Sequence, residues 1–162
     1  MKNYRLSVFL MIIITLFITG CEEESTSPDP LSNGLLITLG AKKYEATSNV
    51  SFSKNSYNVI KFTAEESNEV WNIEFEWDVN AQNGDTVFIS DSFYNTIELT
   101  STVVGNYLIT SSHAKANETF IKVLNIIDGK KIEAEIEGFI YKSGSSTADS
   151  LKNGYLITTH FD

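Results

Sequence analysis

Carboxylates in alternation are the residues of this chain most capable of chemistry: Glu74, Glu76 and Asp78 in one segment, and Glu133, Glu135 and Glu137 in another. Such groups can ligate a hard cation such as Ca²⁺, which takes six to eight oxygen ligands. They can also run glycoside hydrolysis, where the separation of two carboxyl groups sets the stereochemistry. Both uses require convergence. Alternate carboxylates on one strand stand ~6.6 Å apart, too far to share an ion without a second segment. Neither stripe carries an Asp-rich loop with a glycine turn. A solvated sheet face, with lysines pairing across strands, needs no such help and is the reading the stripes support.

The two histidines, His113 and His160, lie in Ser/Thr settings with no companion at metal-ligand spacing. No serine has a nucleophile-elbow context and no glycine-rich loop could cradle phosphate. The expectation is therefore a non-enzyme with no catalytic residue, no bound metal and no cofactor. Turn aromatics are the better lead. Tyr57 falls between two strand-like runs, and Phe93 and Tyr94 lie inside Asp91-Ser92-Phe93-Tyr94-Asn95. Loops carry binding residues more often than sheet faces do, so these three are the candidate ligand contacts. Their competing role is to fold back and cap the end of a β core.

Cys21 is the sole cysteine, and it follows a segment with the parts of an export signal. Lys2 and Arg5 give positive charge, Leu6 to Ile18 form an apolar run, and Thr19 and Gly20 are small. A membrane span wants ~20 apolar residues; this run is shorter, is broken by Ser7 and Thr15, and is followed by Glu22, Glu23 and Glu24. Ile18-Thr19-Gly20-Cys21 resembles the bacterial lipobox, which implies cleavage before Cys21 and diacylglycerol on its thiol. Two acyl chains suffice for stable anchoring. The three acids resemble the surface-export signal of Bacteroidota lipoproteins. That resemblance implies an outer-membrane, cell-surface address, with the periplasmic face of the membrane as the alternative.

From Glu22 to Asn33 the chain is acidic and polar, holds both prolines and shows no apolar periodicity, as a tether does. Extended at ~3.3 Å per residue, it reaches roughly 40 Å. The expected organisation is a signal over 1–20, a lipidated cysteine and disordered tether over 21–33, and one domain over 34–162. Losing Lys2 and Arg5 from twelve basic residues leaves ten lysines against 21 acidic residues, a net charge of −11. Such a surface repels phosphate backbones, and without arginine it has no bidentate fork for phosphate or guanine. Nucleic acid is not an expected partner; the membrane is met through the lipid, and a protein or a glycan is the remaining partner class.

The domain reads as short β-rich runs between Gly, Asn, Asp and Ser clusters, with no helical period. The strands fall near 35–39, 43–47, 50–53, 59–64, 69–79, 86–90, 96–101, 107–112, 119–127, 131–142 and 154–161. Over 69–79 the period-two register puts Trp71, Ile73, Phe75, Trp77 and Val79 on one side. Both tryptophans are thus expected in the core rather than on a sugar-stacking platform. Over 131–142, Ile132, Ala134, Ile136, Gly138 and Ile140 share a face, with Gly138 marking a bulge or a close backbone approach. Asp128-Gly129 is a hairpin signal. The fold class is all-β: an antiparallel β-sandwich, with a small antiparallel β-barrel as the alternative.

Leu39-Gly40-Ala41-Lys42-Lys43-Tyr44-Glu45-Ala46 resembles the opening hairpin of a family of small Bacteroidota lipoproteins of unknown function, with Gly40-Ala41 where Asn-Gly is usual. Glu135-Ile136-Glu137-Gly138-Phe139-Ile140-Tyr141 and Asn153-Gly154-Tyr155-Leu156 are similar to its late strands. The resemblance implies a β-sandwich-like domain and brings no activity. The functional expectation is a lipid-anchored envelope protein that binds or supports without catalysis. The alternatives are a glycan-binding module using the loop aromatics and, behind it, a carboxylate-dependent hydrolase.

Overall fold

A computed structural model describes residues 32–127 and 130–159. They belong to a compact unit spanning Leu31–Asp162. The candidates Cys21, Glu22, Glu23, Glu24 and His160 lie outside the described residues, as do the turn residues 128–129.

Among the described residues the regular structure is eleven strands and two short 3-10 turns, with no α-helix. The strands are β1 (Gly34–Leu39), β2 (Lys42–Ala46), β3 (Ser48–Lys54), β4 (Val59–Glu66), β5 (Glu69–Glu76) and β6 (Thr86–Phe88). They continue as β7 (Thr96–Ser101), β8 (Tyr107–Thr110), β9 (Phe120–Ile127), β10 (Lys131–Lys142) and β11 (Ala148–Thr158). All pairings are antiparallel. The order is β2-β1-β11-β10-β8-β7-β5-β4-β3, with β9 also on β10 and β6 on β9. This one continuous sheet curls until β2 lies against β4 and β5, and β11 against β3. The all-β class is as the alternation indicates, and the architecture is the nearly closed, barrel-like form of it.

Period-two burial explains the curl's filling. Trp71, Ile73 and Phe75 of β5, Ile97 and Leu99 of β7, and Ile132, Ala134, Ile136 and Ile140 of β10 are all fully buried. Small barrels fill their interiors with side chains in this way. Trp77 remains in the core at 5% exposure, edge-on to Phe75 at 6.4 Å. Val79 does not: it is 77% exposed and lies beyond the end of β5. The cause is local. The Asn80 amide donates to Asp78 Oδ1 at 2.7 Å and the Ala81 amide to Asp78 O at 3.0 Å, a side-chain-capped turn that breaks the alternation.

Bulges bend the sheet toward closure. At Lys152–Gly154 β11 carries an extra residue against both neighbours, with Asn153 at φ 50°. On its other edge β10 changes partner, from β9 up to Glu137 to β8 at Tyr141. Gly138 stands at that change with φ +137°, and a Cβ there would lie 2.4 Å from Thr119 Cα. Both readings of Gly138, irregular pairing and close approach, therefore apply.

Candidate binding site

Strand β5 ends where its last amides leave the ladder. The Glu76 amide donates to Asn95 Oδ1 at 2.8 Å, and the Trp77 amide to Asn58 O at 2.9 Å. These two bonds bring together turns remote in sequence. Strand β4 begins at Val59, paired with Glu76, and β7 begins at Thr96, paired with Glu74. The turn before each start therefore stands on its own side of the end of β5.

On the β4 side, Asn55 Oδ1 accepts from the Tyr57 amide at 2.9 Å and the Val59 amide at 3.0 Å, while Asn58 takes φ 58°. This tight turn leaves Tyr57 69% exposed. On the β7 side, Asp91 Oδ2 accepts from the Phe88 amide at 2.8 Å, which folds Ile89–Asp91 into a 3-10 turn. Ser92 Oγ donates to Glu76 Oε2 at 2.8 Å, and the Asn95 amide returns to Ser92 O at 3.1 Å. Held between, Phe93 is 73% exposed and its ring lies 3.8 Å from that of half-exposed Tyr94. None of the three aromatics caps the core as a buried plug would. The structure brings all three to one end of one strand.

On the β7 side, between the end of β5, the loop that follows it and the turn over residues 91–95, lies a cleft of about 600 Å³. Glu76, Asp78, Asp85 and Asp91 line it with the amides Asn80 and Asn95, and no basic side chain does. Each carboxylate has one oxygen engaged in shaping its turn: Glu76 by Ser92, Asp78 by the Asn80 amide, Asp85 by the Gln82 amide at 2.8 Å, and Asp91 by the Phe88 amide. An ionised carboxylate offers about four lone-pair positions, so acceptor capacity is left over. The loop over residues 78–85 is pinned to β9, where the Gly84 amide donates to Val123 O at 2.6 Å and the Ile126 amide to Asn83 Oδ1 at 3.0 Å. Asn80, Asp85, Asp91 and Asn95 are among the lining residues that the sequence reading did not single out as site residues. Their signal was the recurrence of Asp and Asn in turn positions, which says where a turn is and not which turns meet.

The two acidic stripes stay apart. Strand β5 is flanked by β4 and β7, whereas β10 is flanked by β11, β9 and β8. Glu74 pairs with Lys61 at 2.9 Å, and Glu135 with Lys122 at 3.7 Å, as a solvated face with cross-strand lysines would. Glu133 accepts from Lys131 at 2.8 Å and from the Tyr155 hydroxyl at 2.5 Å. Those two bonds, the lysine's first, hold its carboxyl below the usual range. Burial, then the Glu133 bond, pushes the Tyr155 hydroxyl up to about 12. Among the described residues no group of three or more His, Cys, Asp or Glu is placed to hold a metal ion. His113 serves its own turn: Nδ1 accepts from the Thr110 amide at 3.0 Å and the ring stacks on Tyr141 at 4.8 Å.

Fold and site together define an all-β, barrel-like domain with an acidic, amide-lined cleft at the end of β5. No family model, curated protein or solved structure matches the chain. Among the described residues no helix is long and apolar enough to cross a membrane.

Proposed function

We propose that the chain is a lipid-anchored cell-envelope protein whose β domain is a non-catalytic binding module, with the cleft at the end of β5 as its contact surface. The observation that carries the reading is the exposure of Tyr57, Phe93 and Tyr94 on the two turns bonded to the end of β5, while Trp71 and Trp77 are buried. Solvent-exposed large aromatics gathered at one place mark contact surfaces rather than packing. Asp78, Asp85 and Asp91 bond to amides of their own turns and Glu76 to the Ser92 hydroxyl, which supports a scaffolding and hydrogen-bonding role over acid–base work. The tether and lipobox-like segment supply the anchor, and the acids after Cys21 the surface address.

A photo-crosslinking phenylalanine analogue placed at Phe93 or Tyr57 in the full-length protein on intact cells tests the reading. Adducts at both positions, with none from the same probe at exposed Lys152 of β11, are the expected result. Equal labelling at all three, or none at any, would remove the cleft as the contact surface.

A further inference from the structure

We propose that Asn83-Gly84, in the loop between β5 and β6, is a site of spontaneous deamidation and isomerisation whose product releases that loop from β9. The chemistry is the chain's own and is independent of what the cleft binds.

Asparagine is thermolabile because the next backbone nitrogen can reach its side-chain carbonyl. Once a base takes the Gly84 amide proton, the nitrogen attacks Asn83 Cγ. The N–Cγ bond forms, the Cγ–Nδ2 bond breaks, and Nδ2 leaves as ammonia with the proton it needs. Water then opens the resulting succinimide at either carbonyl. One opening gives aspartate and the other gives isoaspartate, in which the main chain runs through the former side chain. Water is consumed, ammonia is released, and nothing is oxidised or reduced. A following glycine favours the closure because no Cβ obstructs the approach.

The chain holds three such pairs, Asn33-Gly34, Asn83-Gly84 and Asn153-Gly154, and the fold treats them differently. Gly34 and Gly154 are buried and stand in ladders, opposite Ile157 and Ile136. A Cβ at either would press on backbone, Ala46 O in one case and Ile136 O in the other. Neither backbone has room to swing into a ring. Gly84 is exposed, as is Asn83, and an added Cβ would meet nothing within 4 Å. Two bonds oppose closure there, from the Gly84 amide to Val123 O and from the Ile126 amide to Asn83 Oδ1. Both belong to an exposed loop, and such loops open locally while the sheet stays folded.

Conversion removes what pins the loop. Asn83 Nδ2 donates to Asn125 Oδ1 at 3.4 Å, and either product replaces that donor with an acceptor-only carboxylate. Isoaspartate also lengthens the main chain, which displaces the carboxylate from the Ile126 amide. Asp78, Asn80, Ala81 and Asp85 of the same loop line the cleft, so its wall shifts with the loop.

Full-length protein in detergent would be incubated at mildly alkaline pH, folded and in urea, and digested for mass mapping of all three pairs. In urea the three should convert at similar rates, because local sequence alone then decides. In the folded protein Asn83 should convert at least about tenfold faster than Asn33 or Asn153, a barrier difference of ~1.4 kcal/mol. Amide exchange at Ile126 should quicken in the converted fraction. Asn83→Gln, whose longer side chain cyclises far more slowly, should show neither the mass gain nor the quickened exchange over the same incubation.

Conversion of folded Asn83 no faster than of the other two would overturn the site. A folded ranking that merely repeats the ranking in urea would remove the fold as its cause. Conversion that leaves Ile126 exchange unchanged, or exchange that quickens equally in incubated Asn83→Gln, would overturn the release of the loop.

Discussion

Asn95 Oδ1 accepts the Glu76 amide at 2.8 Å while Asn95 Nδ2 donates to Phe88 O at 2.8 Å, so one buried side chain ties the end of β5 to the 3-10 turn. Asn95 is fully buried, which makes both bonds matter. Leaving a buried partner unsatisfied costs about 1–3 kcal/mol. Asn95→Ala orphans the Glu76 amide and Phe88 O together, and it is expected to lower stability by about 2 kcal/mol or more in urea melts. The loss should be accompanied by faster amide exchange at Glu76. An unchanged midpoint would mean that water replaces the amide without cost and that the loop is not held through it.

Gly138 and Thr119 meet where β10 passes from β9 to β8. Thr119 Oγ1 accepts from the Phe139 amide at 3.0 Å and lies 2.9 Å from Lys115 O, so a single hydroxyl fills the gap in the ladder. A methyl at Gly138 would overlap Thr119 Cα and Glu118 O, at 2.4 and 2.7 Å, and the φ of +137° is unfavourable to any L side chain. Gly138→Ala is expected to cost about 3 kcal/mol or more, among the larger effects of point changes. Thr119→Val, which keeps the shape and loses the hydroxyl, should cost about 1–3 kcal/mol. Gly144, where an added Cβ meets nothing within 4 Å, gives the control: Gly144→Ala carries only its φ of +79°. Equal losses at Gly138 and Gly144 would show that backbone conformation, and not the close approach, decides.

Much of the sheet was legible because alternation is a local property of the chain. All eleven strands fall where runs of β-formers stand between turn residues, and β7 and β10 match to the residue. Three of the departures share a cause: a side chain captures a backbone amide at a strand end. Asp78 does so after β5, and Asp91 takes the Phe88 amide and shortens β6 from the expected 86–90. His113 takes the Thr110 amide and ends β8 before Ser112. Strand β11 starts earlier, at Ala148, because its polar first half and its bulge hide the alternation. The cleft could not be read at all. It depends on Ser92 and Asn95 reaching Glu76, 16 and 19 residues away, and the period of one segment carries no information about which turns converge.

Val79 and Trp77 make that distinction measurable. Truncating a buried aromatic typically costs ~3–5 kcal/mol, and Trp71→Ala and Trp77→Ala are expected in that range. Val79→Ala, on a 77% exposed side chain, should stay within ~0.5 kcal/mol. Chemical denaturation of the three variants decides the matter. A Val79→Ala loss approaching that of Trp77→Ala would place the residue back in the core register that its sequence position suggests.

Tyr155 and Glu133 give the sheet face a pH signature. The Tyr155 hydroxyl is raised from 10.0 to about 12, by burial and then by Glu133. A raised group contributes stability that is full below its unfolded value and is lost as pH climbs through the folded one. The Glu133 carboxyl is lowered from 4.5 by Lys131 and then Tyr155. Its contribution is therefore present above 4.5 and is lost as pH falls through the depressed folded value. The stability difference between wild type and Tyr155→Phe should thus be flat between about pH 5 and 10 and shrink from pH 10 toward 12. A difference that stays constant from pH 9 to 11.5 would contradict the hydroxyl's assignment as the stabilising proton.

On the proposed reading Cys21 supplies an attachment and the three glutamates after it an address, so the two contributions to location are separable by substitution. A thioether to diacylglycerol needs the thiol, and the chain has no second cysteine to substitute for it. Cys21→Ser is expected to abolish incorporation of labelled palmitate and to leave an uncleaved or released chain, since about 0.8 kcal/mol per buried methylene vanishes with the acyl chains. Changing Glu22, Glu23 and Glu24 together to alanine leaves that thiol untouched. Labelling should persist while protease added to intact cells loses access to the domain. Persistent labelling in Cys21→Ser removes the anchor, whereas equal protease access before and after the triple change leaves the anchor in place and removes the surface address.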